Sequence, residues 1–83
     1  MNSEILKLIE SGQLDQAREA LAGASDADSL YLLGRLEWKA GNRAAAISAY
    51  NASAQAMPGG PGEIALEQAR RVMEFYNHDL YNP

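Results

Sequence analysis

Apolar side chains recur along this chain at intervals of three and four residues, and clusters of Gly, Pro, Ser and Asp interrupt the recurrence. That spacing marks helices with one buried face. The first such segment runs from about Glu4 to Ser11, with Ser3 as its N-cap and Ile5, Leu8 and Ile9 on one face. Leu6 falls beside them, so the stripe is wide, and Gly12 suits a left-handed C-cap. A second helix is predicted over Leu14 to Ala22, with Leu14, Ala17, Ala20 and Leu21 inward and Asp15 near the positive end of its dipole. The stretch from Gly23 to Ser25 reads as a loop. Ser25 and Asp28 have the spacing of a capping box and open a third helix, from about Asp26 to Ala40. Gly41-Asn42 breaks it. A fourth helix runs from Arg43 to Ala56 and stops at Met57-Pro58. Gly59-Gly60-Pro61-Gly62 is the strongest breaker cluster, and Pro61 suits the first position of a fifth helix that extends to about Asn77. Its stripe is Ala65, Ala69, Val72, Met73 and Tyr76, and His78 to Pro83 is expected as a turn or frayed tail.

Composition strengthens the helical reading. The β-branched residues that strands need are few: Ile5, Ile9, Ile47, Ile64 and Val72, with no Thr. Ala is abundant, and it both favours helix and lets helices approach closely. Short connections force consecutive helices to pack antiparallel. The expected fold is therefore all-α, about five helices in antiparallel hairpins, stacked as an α-solenoid. With 83 residues the chain makes one domain, and a domain of this size buries only about 60% of its unfolded surface. No cysteine is present to staple it, and nothing hints at an oxidising compartment.

Charge narrows the partners. Seven Lys and Arg against eleven Asp and Glu give a formal net charge of −4, which argues against nucleic-acid and membrane-surface binding. No apolar run approaches the roughly 20 residues of a membrane span. The N-terminal segment MNSEILKLIESG lacks the basic stretch of a signal peptide. A soluble, intracellular protein is the expectation.

The chain also repeats itself. Gly12, Ala17 and Leu21 are spaced as Gly41, Ala46 and Tyr50 are. Gly turns the corner between two helices, Ala permits a close contact, and the bulky residue one turn on fills the space between them. The segment 27–60 carries Leu33-Gly34, Ala46, Tyr50 and Pro58 at the positions of the pattern W-x₂-L-G-x₂-Y…A-x₃-F…P, with Leu30 in place of the Trp. In these residues the chain resembles the tetratricopeptide-repeat (TPR) family. Two positions depart from it: Glu37 stands where the Tyr belongs, with Trp38 beside it, and Ser53 replaces a small residue that is usually Ala. Either Trp38 takes over that packing or Glu37 faces a water-filled groove. Residues 1–25 resemble a degenerate hairpin, since Gly12 to Gly41 spans 29 residues (41 − 12) against a period of about 34. Residues 61–77 resemble a capping helix. The ending EFYNHDLYNP is similar to the C-termini of small stand-alone bacterial repeat proteins. The resemblance implies a short right-handed superhelix, a bacterial cytoplasmic location and binding of proteins rather than catalysis.

In that family the first helix of each repeat lines a concave groove. Here Tyr31, Arg35, Trp38 and Lys39 fall on one face of the third helix, and Trp, Tyr and Arg are the types enriched at binding hot spots. They are the candidate groove residues, for a peptide or helix bearing acidic and apolar groups. The alternative for Trp38 and Tyr31 is packing against neighbouring helices, and for Arg35 and Glu37 a solvated face. The Lys/Asn clamp by which some TPR proteins grip a C-terminal carboxylate is not matched by Asp28, Tyr31, Leu32 and Arg35. The competing function is self-association, with Leu6 and Ile9 at one end and Phe75, Leu80 and Tyr81 at the other as homodimer contacts.

Catalytic chemistry is not in view. Cys is absent and the one His, His78, lies close to the C-terminus, poorly placed for an oriented triad. Glu74 and His78 are spaced to share a metal, but beyond Asp79 no third ligand is evident. Gly59-Gly60-Pro61-Gly62 lacks the Lys-Ser/Thr ending of a phosphate loop and follows a helix rather than a strand. No metal, cofactor or enzymatic activity is expected.

Overall fold

The computed structural model describes the backbone of residues 2–81 and the side chains of residues 3–74. The described residues form five α-helices and no strand: α1 (Asn2–Glu10), α2 (Leu14–Leu21), α3 (Ala27–Ala40), α4 (Arg43–Ala56) and α5 (Pro61–Tyr81). Helix α3 is the hub and touches all four others, while α1 packs on α2 and α4 on α5. Among the described residues, α1 and α5 flank α3 without meeting each other. The molecule measures 45 × 28 × 17 Å, about two helix layers in its short dimension.

The repeated corner is built twice with the same hydrogen bonds. Gly12 (φ 85°) donates to the Ile9 carbonyl at 3.1 Å, and Gln13 donates to Leu8 at 2.8 Å. Gly41 (φ 89°) donates to Trp38 at 3.1 Å, and Asn42 donates to Glu37 at 2.8 Å. Both are Schellman caps, in which only Gly enters the left-handed region without strain. The Ala five residues after each Gly is fully buried, Ala17 and Ala46 both at 0% exposure. Leu21 and Tyr50 are buried in turn, each at the centre of its own apolar cluster. The N-terminal cluster gathers Ile9, Ala17, Leu21, Leu32 and Leu36, and the C-terminal one Ala46, Tyr50, Leu66 and Ala69.

Two glycines set the helix spacing in the second half. A Cβ on Gly34 would lie 2.3 Å from Cδ1 and Cε1 of Tyr50, so the ring occupies the space that Gly34 leaves. A Cβ on Gly62 would lie 2.2 Å from Oγ of Ser53. Ser53 is wholly buried and donates to the Ala27 carbonyl at 2.6 Å, tying α4 to the start of α3. The departure from Ala at this position therefore adds a satisfied polar tether rather than a buried orphan.

Several boundaries and burials differ from the sequence expectation. Helix α1 begins at Asn2, so Ser3 lies within the helix and is not its cap. Asp26, not Ser25, caps α3: its carboxylate accepts the Ser29 N–H at 3.1 Å, and the hydrogen bonds from Ser29 hold its pKa below the usual carboxylate value. Ala20 is exposed, because the short α2 buries only the line through Ala17 and Leu21. In α5 Ala69 is buried as expected and Ala65 and Met73 are half-buried, but Gly62 and Leu66 are buried beside them and Val72 is left 39% exposed. Helix α5 also continues to Tyr81, past the expected end at Asn77. After Gly62 no Gly or Pro occurs before Pro83, so nothing in the sequence stops it earlier. Tyr76 of the predicted stripe lies outside the described side chains.

Candidate functional site

Between the described parts of α1 and α5, which flank α3 without meeting, one face of α3 forms the floor of an open groove. Three adjoining cavities run along it. The central one, about 250 Å³, is lined by Tyr31, Arg35, Trp38 and Tyr50 with Gln68 and Val72 of α5 as a wall. The second, about 210 Å³, shares Arg35, Trp38 and Tyr50 and adds Lys39 with Ile9 and Glu10 of α1. The third, about 260 Å³, lies past Tyr31 toward the start of α3, between Leu6, Leu32 and Pro61. The four residues singled out in the sequence thus share one groove: Tyr31, Arg35 and Trp38 line its centre, and Lys39 its far end.

The centre is an array of aromatic rings and guanidinium groups. The rings of Tyr31 and Tyr50 lie 6.1 Å apart, tilted by 31°. Tyr50 belongs to α4, and its ring reaches the groove floor through the gap left by Gly34. Arg35 Nη1 donates to the Tyr31 hydroxyl at 3.1 Å, and its guanidinium carbon lies 5.9 Å from the Tyr31 ring centre. Arg43 lies over Trp38, 4.9 Å from the ring centre. Stacks of this kind hold a cation in place over a ring face. Trp38 lines the cavity and also packs against the cluster around Tyr50, as the packing reading expects.

The electrostatics are unusual for an acidic chain. Arg35 and Lys39 form no ion pair among the described residues. Lys39 donates to the Glu10 carbonyl at 2.9 Å, which stitches the C-terminal ends of α3 and α1 together and neutralises an unpaired carbonyl. The hydrogen bond to Tyr31 raises the pKa of Arg35 further, outweighing its partial burial. Yet Arg35 Nε is buried with no partner, alone in this among the side-chain N and O atoms of the described residues. An unmade buried hydrogen bond costs about 1–3 kcal/mol. Desolvation raises the pKa of Tyr50 above its usual value, so the hydroxyl stays protonated at neutral pH.

Glu37 faces away from the groove. Its carboxylate accepts Arg18 Nη2 at 3.1 Å and Asn42 Nδ2 at 3.0 Å, joining α3 to α2 and to the Gly41 corner. Trp38 is left to take the groove side. The sequence pattern missed Gln68, and it read Tyr50 only as a core plug. The sequence reading placed Ala65, Ala69 and Val72 in a buried stripe and gave α5 no part in the groove, and no pattern distinguishes Gln68 from a solvated residue.

Other candidates fare differently. A cleft of about 450 Å³ opens at the α4–α5 turn, beside Pro58, Glu63 and Glu67. There the Gly59 N–H donates to the carboxylate of Glu63, which occupies the helix start where a phosphate would have to sit. Ile9, expected at a homodimer contact, is 2% exposed and belongs to the core instead. Leu6 is half-buried and borders the groove. Phe75, Leu80 and Tyr81, and the His78 and Asp79 of the metal reading, lie outside the described side chains. Among the described residues no cluster of His, Cys, Asp or Glu could hold a metal, and no helix is long and apolar enough to cross a membrane. The chain matches no protein-family model, no curated protein and no solved structure.

Proposed function

We propose that this chain is a protein-interaction module of the TPR kind, acting in the bacterial cytoplasm, that holds a peptide or helix of another protein in the groove over α3 and performs no catalysis. The observation that carries this reading is the groove itself. Its floor is Tyr31, Arg35, Trp38 and Tyr50, its walls come from α1 and α5, and its centre holds a guanidinium, Arg35, that forms no ion pair among the described residues. The doubled Schellman corners, with their buried Ala and bulky residue at matched positions, support stacked hairpins as the architecture.

The test is capture from a lysate of the native host by the wild-type chain and by the Arg35→Glu/Lys39→Glu variant. A partner retained by the first and lost by the second is the expected outcome. Identical capture by both removes the groove from the account. Self-association is the competing reading, and it loses Ile9 as a contact because that side chain is in the core. Exposed Ile64 and Val72 on α5 keep it open to test by light scattering, where a strict monomer at high concentration would remove it.

A further inference from the structure

Three ion pairs hold Arg18 of α2 and Arg71 of α5: Arg18 with Asp15, Arg18 with Glu37, and Arg71 with Glu67. Among the described residues Arg35 has none. Its hydrogen bond goes to a neutral acceptor, the Tyr31 hydroxyl, and its Nε is buried without a partner. Lys39 beside it is accounted for by the Glu10 carbonyl at the end of α1. Arg35 sits more than a turn inside α3 and has no such role. A half-buried guanidinium with donors to spare, which forms no ion pair among the described residues although Glu10 acts on it electrostatically from the end of α1, is complementary to a carboxylate from outside. One turn toward the start of α3 the groove changes character, and Leu6, Tyr31, Leu32 and Pro61, together with Ser3 and Asp28, line a mostly apolar seat.

On the basis of the groove reading above, we infer that the bound segment is an acidic peptide of another protein. Its Asp or Glu carboxylate is received by Arg35, and an apolar side chain close by in the same peptide is seated between Leu6, Leu32 and Pro61. Tyr31 and Arg35 are one helical turn apart, about 5–6 Å along the axis. Side chains two apart on one face of an extended peptide have nearly that separation, about 6–7 Å. The motif read is therefore an apolar residue and an acid with one residue between them. Taking up the carboxylate draws Arg35 Nε out of its unpartnered state as the groove adjusts around the peptide.

The experiment is an NMR titration of the full ¹⁵N-labelled chain with short acetylated and amidated peptides. They are built on Leu-Ala-Glu and on the reverse order Glu-Ala-Leu, each with a counterpart carrying Gln in place of Glu. The expected result is binding of one Glu order about tenfold or more tighter than its Gln counterpart, with shifts centred on Tyr31, Arg35 and Trp38. The preference should be lost in Arg35→Gln and retained in Lys39→Gln. Comparing Glu with Gln peptides on the wild-type chain needs no variant to fold. Equal binding of Glu and Gln peptides at the groove overturns the carboxylate inference and leaves the peptide-binding reading standing. Absence of shifts at the groove with every peptide overturns both. A groove already covered by a second copy of the chain, seen as dimer-sized relaxation with shifts on dilution, overturns the inference in favour of self-association.

Discussion

Replacing Gly34 with Ala tests whether the ring of Tyr50 reaches the groove floor only because Gly34 lacks a side chain. The new Cβ would stand 2.3 Å from two ring carbons of a residue that is 6% exposed. Carbon atoms rest at about 3.5–4.0 Å, so the ring must withdraw by more than about 1 Å, away from Leu66, Ala69 and the Tyr31 ring. Overpacking of this kind costs about 1–3 kcal/mol. Exchanging Gly for Ala inside a helix returns about 1 kcal/mol. The net expectation is destabilisation of up to about 2 kcal/mol. For a domain of this size each kcal/mol moves Tm by about 4–8 °C. In the Tyr50→Leu background the obstructing ring is gone, as it is at the matching corner where Leu21 holds this place, with Ile5 packed on its cluster. There Gly34→Ala should stabilise by up to about 1 kcal/mol, so the two substitutions couple by about 1–3 kcal/mol. Urea unfolding of the wild type, both single variants and the double variant measures that coupling. If Gly34→Ala shifts stability by the same amount in both backgrounds, the ring does not depend on the gap and the description of the groove floor is wrong.

Three further outcomes are expected. Tyr50 has a folded-state pKa above its ordinary value, so its contribution is complete below about pH 10 and is lost as pH rises through the folded pKa; urea midpoints of Tyr50→Phe should fall less steeply than those of the wild type over that range. Asp26 has the opposite sign: its folded pKa is depressed, so its stabilisation is present above the ordinary value of 3.8 and is lost as pH falls through the folded value. Asp26→Asn should flatten the acid limb of an unfolding curve followed by circular dichroism. Ser53→Ala removes the bond to the Ala27 carbonyl, and thermal unfolding should show a loss of about 0.5–1.5 kcal/mol.

Much of the fold was legible in the sequence, for identifiable reasons. Helix α4 was bounded correctly because Gly41-Asn42 and Met57-Pro58 are unambiguous stops. The two corners were legible because Gly, Ala and a bulky residue at fixed spacing leave the chain little choice. The α3 cap was missed by one residue, since Ser25, Asp26 and Asp28 all have capping chemistry and only the backbone decides among them. In α5 the burial of Gly62 and Leu66 was missed, because Gly62 lies close against Ser53 of α4 and a single sequence does not disclose that contact. In the groove, the spacing of Tyr31, Arg35, Trp38 and Lys39 placed them together because all four belong to one helix. Gln68 and Tyr50 enter from other helices, and no local pattern announces such meetings.

The central claim is that the face of α3 between α1 and α5 meets another protein. Photo-crosslinking in the native host tests it most directly. A benzophenone amino acid replaces Gln68 on the groove wall in one strain and exposed Ser48 on α4 in another. The account predicts adducts with a different protein from the Gln68 position and none above background from Ser48. Equal adducts from both positions, none from Gln68, or adducts consisting only of two copies of this chain would contradict it.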